Sequence, residues 1–66
     1  MLNLSNARDY LIRTVKGAQV IEPRGFEYLG SCDGIPMITL PFTLPGEPYS
    51  FSMDMWIEDG AIYGEW

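Results

Sequence analysis

The strongest constraint on the fold is the alternation of residue types between Tyr49 and Ile57. Large apolar side chains occupy every second position in this stretch: Tyr49, Phe51, Met53, Met55 and Ile57. A period of two is typical of a β-strand with one buried face. Ser50, Ser52 and Asp54 fit the polar face, whereas Trp56 breaks the pattern, because folding does not require a large aromatic residue there.

A hairpin is predicted directly after this strand. Asp59-Gly60 is a strong signal for a two-residue turn, and Ala61 to Trp66 is predicted as the returning strand. With this turn Trp56 lies opposite Tyr63 and Asp54 lies opposite Glu65. The buried face would then include Met53, Ile57, Ile62 and Trp66, and the other face would carry the aromatic pair beside the carboxylate pair, with Glu58 and Asp59 at the tip.

Three interpretations of this hairpin are compatible with the sequence. In the first, Trp56 and Tyr63 anchor a protein interface and the surrounding carboxylates pair with Arg or Lys of a partner. In the second, the N-terminal helix or an early strand covers both rings, which are then part of the core. In the third, the register differs, because like charges directly opposite each other destabilise a sheet.

The preceding part of the chain predicts one helix and three strands. A helix is predicted at residues 5–16. Its apolar stripe begins at the preceding residue and consists of Leu4, Ala7, Leu11 and Val15. Ser5 is the predicted N-cap and Gly17 the predicted C-terminal stop. Strands are predicted at 18–22, 26–32 and 35–44, with a tight turn at Asp33-Gly34.

The predicted fold is α+β, with one N-terminal helix packed on a four- or five-stranded antiparallel meander sheet. Residues 1–66 form a single small domain, with strands joined by short consecutive loops. Pro36 and Pro41 predict an edge or bent position for the strand at 35–44, because proline cannot donate to a sheet ladder. The helix would cover one sheet face and leave the other partly open.

A chain of 66 residues with one cysteine and no histidine has little help in folding. Cys32 cannot form an internal disulfide, and a structural zinc site is not expected. A domain of this size buries only about 60% of the surface that its unfolded chain exposes. Stability must therefore come from dense apolar packing, self-association or a partner, and the 47% of hydrophobic residues allow the first.

The charge is divided sharply along the chain. All four basic residues (Arg8, Arg13, Lys16 and Arg24) lie in the first 24 positions, and the remainder carries only acidic charge: Glu27, Asp33, Glu47, Asp54, Glu58, Asp59 and Glu65. Such asymmetry indicates an acidic surface for a basic partner. The alternative is that an acidic domain stays soluble in this way.

The sequence does not favour an enzyme. Without histidine there is no imidazole acid–base step, and Cys32 has acidic neighbours in sequence, which would not activate a thiol. The glycines do not form a phosphate-binding loop, and the carboxylates lack the spacing of a calcium loop. We therefore predict no catalytic residues, no cofactor and no metal. The net charge of −5 also argues against direct nucleic-acid binding.

No stretch approaches the roughly 18 apolar residues of a membrane helix. Residues 1–9 also lack the pattern of a secretion signal, so we expect no membrane association and a cytoplasmic location.

In general character the chain is similar to the tiny acidic proteins that bacteriophages and mobile elements make to block host defence enzymes. The likeness implies a small inhibitor that acts as a nucleic-acid mimic and occludes a basic, nucleic-acid-binding surface of a larger host protein such as a defence nuclease complex. The predicted contact residues are Asp54, Trp56, Glu58, Asp59, Tyr63 and Glu65. The alternative is a structural or assembly subunit that forms a homodimer or larger homo-oligomer through its sheet edges.

Overall fold

The computed structural model describes residues 2–21 and 34–66, together with the backbone of residues 29–32. The described elements are one helix followed by five strands: α1 (Leu4–Thr14), β1 (Gln19–Val20), β2 (Leu29–Cys32), β3 (Ile35–Thr43), β4 (Ser50–Glu58) and β5 (Ala61–Glu65). The described strand pairs are all antiparallel. The predicted α+β architecture of a helix and a meander sheet is confirmed. Parts of the predicted strands at 18–22 and 26–32 lie outside the described residues.

The helix begins one residue earlier than the sequence predicts, because Asn3 rather than Ser5 is its N-cap. The Asn3 side chain accepts from the Asn6 backbone N–H at 2.9 Å, and the Asn6 side chain accepts from the Asn3 backbone N–H at 2.8 Å. This reciprocal capping box satisfies two N–H groups that a helix start leaves unpaired. At the other end the helix stops at Thr14, two residues before the predicted end, with Val15 rather than a residue next to Gly17 as its C-cap. Gly17, with φ of 85°, then turns the chain towards β1.

The sheet has the order β1-β3-β4-β5, and β2 also pairs with β3. Ile38 pairs with Leu29 of β2 and with Met55 of β4, so β2 lies on the side of β3 away from β4. β1 pairs with the other end of the same side, through Val20 and Phe42. The two short strands together form one edge of the sheet, and β5 forms the opposite edge.

The position of β3 inside the sheet contradicts the prediction that its prolines would place it at an edge. Pro41 accepts a hydrogen bond from the Ile21 N–H at 2.9 Å, so its main chain faces the β1 side, just beyond the last residue of β1. Pro36 lies outside the β3–β4 ladder, which ends at Ile38. The N–H that each proline lacks is therefore not needed by the β3–β4 ladder, and β3 tolerates both residues.

The core lies between α1 and one face of the sheet. Ala7 and Leu11 of α1 and its C-cap Val15 are buried, as predicted from the apolar stripe. They pack with the inward-facing residues of β3 and β4: Ile38, Leu40, Phe42, Met53 and Met55. Each fully buried large side chain contributes about 1.5–3 kcal/mol to folding. The core therefore occupies the helix side of the sheet.

Close packing of the helix on the sheet depends on Gly64. A Cβ atom at this position would lie 2.7 Å from Tyr10 Cε1 and 2.8 Å from Met53 Sδ. Since Gly64 pairs with Met55, these contacts also mark the side of β5 that faces the core. Within the described residues, no helix is long and apolar enough to cross a membrane.

Candidate functional site

The hairpin between β4 and β5 has the turn that the sequence predicts. Glu58 pairs with Ala61, which leaves Asp59 and Gly60 as the two loop residues. Their φ values of 52° and 79° are both positive. This is the pattern of a type I′ turn, whose twist matches that of the flanking strands. Asp is among the non-glycine residues that tolerate this conformation best.

The predicted register is confirmed. Trp56 pairs with Tyr63, and Asp54 pairs with Glu65. The two rings are stacked, with centroids 6.3 Å apart and planes inclined by 22°. The two carboxylates lie directly opposite each other one row further along the strands. The interpretation that the hairpin has a different register is therefore wrong.

Trp56 and Tyr63 lie on the sheet face opposite the helix. Met53 and Met55 are buried on the helix side, and alternation along β4 turns Trp56 the other way. Within the part of the chain that the structure describes, the helix does not cover these rings, and β1 and β2 lie in the same sheet. Tyr63 is 45% exposed and Trp56 is half-buried. The interpretation that the helix covers both rings is wrong. The early strands that could also cover them include residues 22–28, which lie outside the described residues.

The apolar centre of this outer face is wider than the hairpin alone. Alternation along β3 places Ile35 and Met37 on the same face as Thr39. The β3–β4 ladder ends at the pair of Ile38 and Met55, so Met37 and Trp56 are the residues that follow this pair on the two strands. Ile35 is 42% exposed, and Met37 is half-buried. The outer patch, as we call it, consists of Ile35, Met37, Trp56 and Tyr63.

Carboxylates flank the outer patch on both sides. Asp54 and Glu65 form the next row towards the C-terminal end of β5, and Glu58 and Asp59 lie at the turn. Asp54 is half-buried and accepts a hydrogen bond of 2.6 Å from the Thr39 hydroxyl to its Oδ1. Glu58, Asp59 and Glu65 are exposed. The structure thus brings all six predicted contact residues into one region of the hairpin.

The described basic residues lie on the other side of the molecule. Arg8, Arg13 and Lys16 are exposed on α1 or immediately after it, and α1 packs on the helix side of the sheet. Arg13 donates from Nε to the main-chain carbonyl of Asp9 at 3.3 Å. The sequence asymmetry in charge is therefore also a spatial one: the helix side carries the described cations, and the outer face carries carboxylates.

Three residues of this site, Ile35, Met37 and Thr39, were not among the predicted contact residues. Their signal is the alternation along β3, which becomes informative only when the β3–β4 register is known. The prolines in that strand obscured the pattern, because they suggested a bent edge strand. The site now combines exposed apolar area, an aromatic stack and a carboxylate rim.

A comparison with known protein families, curated proteins and solved structures finds no match for this chain.

Proposed function

We propose that the protein is a small inhibitor that binds a larger basic protein through the outer patch and its carboxylate rim. The observation that carries this proposal is the Trp56–Tyr63 stack on the sheet face opposite the helix, next to the Asp54–Glu65 pair. Trp and Tyr are enriched among the residues that dominate binding energy in protein interfaces. Folding alone does not require either ring at these positions, since the described core lies on the other face.

The charge distribution supports a basic partner. From Gly25 to Trp66 the chain has no Lys or Arg, so no neighbouring cation of this segment neutralises the rim. A surface with one sign of charge attracts an oppositely charged partner over a distance and accelerates association. The carboxylates would then pair with Arg or Lys around the apolar centre, which excludes water from the contact.

The arrangement of Asp54 and Glu65 also supports a binding role. Placing two carboxylates directly opposite each other lowers the stability of a small domain, by roughly 0.2–1 kcal/mol for a cross-strand pair. A cation of the partner between them would relieve this repulsion on binding. Thr39 holds the Asp54 carboxylate through its 2.6 Å hydrogen bond, on the side of β4 away from Glu65, so one member of the pair is positioned before the partner arrives.

The basic surface that best fits this face is one that normally binds nucleic acid. Such surfaces carry clustered Arg and Lys that contact phosphates. A domain with a carboxylate-rimmed face would compete with nucleic acid for those cations, and would act as a nucleic-acid mimic. We propose that the target is a nucleic-acid-handling host protein, such as a defence nuclease complex. We also propose that the inhibitor itself is encoded by a phage or mobile element.

The test uses capture from the native host followed by measurements with the purified target. The immobilised protein is compared with Trp56→Ala and Glu58→Lys, and bound proteins are identified by mass spectrometry. Matched controls are Tyr49→Ala, which removes another exposed aromatic ring, and Glu47→Lys, which makes the same charge change in the β3–β4 loop. Circular dichroism confirms that each variant is folded.

The proposal expects a target that both site variants lose and both control variants retain. Loss of an interface hot spot costs about 2 kcal/mol or more, or ~30-fold in Kd. Glu58→Lys acts mainly on the association rate, and its effect decreases at high salt. Nucleic acid should compete with the protein for the purified target. A captured protein that Glu58→Lys and Glu47→Lys retain equally, or one that binds nucleic acid and inhibitor together, contradicts the proposal.

A further inference from the structure

The β5 strand forms an edge of the sheet whose outer side is open in the described part of the chain. It pairs with β4 along its whole length, from Ala61 to Glu65. The residue pair next to a two-residue turn is hydrogen-bonded. Non-hydrogen-bonded and hydrogen-bonded pairs then alternate along the ladder. The main-chain groups of Ala61, Tyr63 and Glu65 therefore face β4, and those of Ile62 and Gly64 face outward. These outward groups form a row of donors and acceptors at the edge.

Three features that prevent edge pairing are missing from β5, although the strand has only five residues and carries one charge, Glu65. Its sequence, Ala-Ile-Tyr-Gly-Glu, contains no proline and no lysine, and the ladder with β4 continues without a bulge. Natural proteins use such features to keep an edge strand from pairing with another chain. The opposite edge is different, because it is divided between the two short strands β1 and β2.

We propose that β5 pairs antiparallel with β5 of a second copy of this chain, about a two-fold axis at Tyr63. This register is the one that pairs all five residues of the strand. Ile62 of each copy lies opposite Gly64 of the other, so the outward main-chain groups form two hydrogen-bonded pairs. The inference goes beyond the proposed function and stands without it.

The side chains favour a second copy as the occupant of this edge. Glu65 is the only charged residue of β5, and an antiparallel two-fold arrangement places it beside Ala61 of the other copy rather than beside another carboxylate. The two Tyr63 rings, each 45% exposed in the single chain, become neighbours. Aromatic cross-strand pairs stabilise a sheet by about 0.2–1 kcal/mol. This register thus pairs the whole strand without placing two carboxylates directly opposite each other across the new edge.

The dimer would join the two outer patches into one surface. A row of four aromatic rings would run from Trp56 of one copy through both Tyr63 residues to Trp56 of the other. Adjacent strands are about 4.8 Å apart, so the two β4 strands would lie about 14 Å apart across the new sheet. Pairing also adds buried surface to a domain whose size limits its own core.

The first test measures self-association by sedimentation velocity over a range of concentrations. The wild-type protein should shift towards the mass of a dimer as concentration rises. Tyr63→Glu puts two carboxylates opposite each other at the axis, and we expect at least a ten-fold weaker association. Tyr49→Glu makes the same change at a residue 70% exposed outside β5, and should associate like wild type.

A mixture of variants separates this register from a simple folding defect. Tyr63→Lys should also fail to self-associate, whereas an equimolar mixture of Tyr63→Glu and Tyr63→Lys should form a heterodimer, because opposite charges then meet at the axis. A wild-type protein that remains monomeric to millimolar concentration overturns the proposal. So does a Tyr63→Glu variant that associates like wild type, or a mixture that stays monomeric.

Disulfide trapping tests the position of the axis. In a Cys32→Ser background, Tyr63→Cys places two thiols at a non-hydrogen-bonded pair of the new ladder. The two Cα atoms are then about 4.5 Å apart, within the range of about 4.4–6.8 Å for a disulfide. Ala61→Cys is the matched control, since its two Cα atoms would be about 14 Å apart. Mild oxidation should cross-link the Tyr63→Cys protein alone. Equal cross-linking of both variants overturns the proposed register.

Discussion

Replacement of Glu65 by lysine should raise the stability of the folded protein. Glu65 lies directly opposite Asp54, and Asp54 is fixed by a 2.6 Å hydrogen bond from Thr39. This bond draws the Asp54 carboxylate towards β3, on the side of β4 away from Glu65, and leaves the two like charges in one row of the sheet. In Glu65→Lys the repulsion disappears and an attractive cross-strand pair replaces it.

The magnitude follows from this geometry. A favourable or unfavourable cross-strand pair contributes roughly 0.2–1 kcal/mol, so the change from repulsion to attraction is about 0.4–2 kcal/mol. A value near 1 kcal/mol raises Tm by about 4–8 °C in a domain of this size. The total stability of so small a domain is only about 3–5 kcal/mol, which makes the effect a large fraction of it.

Urea denaturation and thermal unfolding measure the effect, with two controls. Glu47→Lys makes the same change in net charge at an exposed loop position, and so accounts for the general effect of reducing the acidity of the chain. Glu65→Gln removes the repulsion without adding attraction, and should give about half the gain. At 1 M salt, where the Debye length is about 3 Å, the differences should shrink.

The reasoning is refuted if Glu65→Lys is no more stable than Glu47→Lys, or if its advantage persists unchanged at 1 M salt. The same substitution should weaken target binding under the proposed function, because it places a cation in the carboxylate rim. Stability and binding would then change in opposite directions. A variant that gains stability and retains full binding would support the electrostatic account of folding and contradict the proposed contact surface.

Three further predictions concern the local structure, and urea denaturation measures each. Gly64→Ala should lose about 1–3 kcal/mol, because its Cβ would lie 2.7 Å from Tyr10 Cε1; a loss below 0.5 kcal/mol, the ordinary range of about ±0.5 for surface changes, would contradict the packing. Asn3→Ala should lose about 0.5–2 kcal/mol and exceed the loss in Ser5→Ala, and the reverse order would contradict the observed cap. Asp59→Ala should lose about 1–2 kcal/mol at its positive φ, whereas Asp59→Asn should be close to neutral; equal effects would argue against the turn.

The C-terminal hairpin could be predicted from the sequence almost completely. A two-residue Asp59-Gly60 turn fixes the register, and the register alone determines that Trp56 meets Tyr63 and Asp54 meets Glu65. The side of the sheet that the helix covers also followed from the alternation between Tyr49 and Ile57. Local turn chemistry and a period of two therefore predict the pairing in this hairpin, but not the burial of its end: Trp66, expected on the buried face, is 59% exposed.

Other features depend on contacts that a linear pattern does not contain. Pro36 and Pro41 suggested an edge strand, but β3 tolerates them because of where the β1 and β4 ladders end. Asn3 and Ser5 are both good capping residues, and the reciprocal bonds with Asn6 decide between them. The roles of Ile35 and Met37 in the outer patch required the β3–β4 register, which no short turn fixes.

The two tryptophans provide the most direct test of the proposed contact surface. Trp56 lies on the outer face against Tyr63, whereas Trp66 packs against Phe42 and Phe51 on the helix side, with centroids 5.3 and 5.6 Å away. In protein labelled with fluorotryptophan, addition of the purified target should shift the fluorine NMR signal of Trp56 and leave that of Trp66 in place. A shift of the Trp66 signal alone would contradict binding through the outer face.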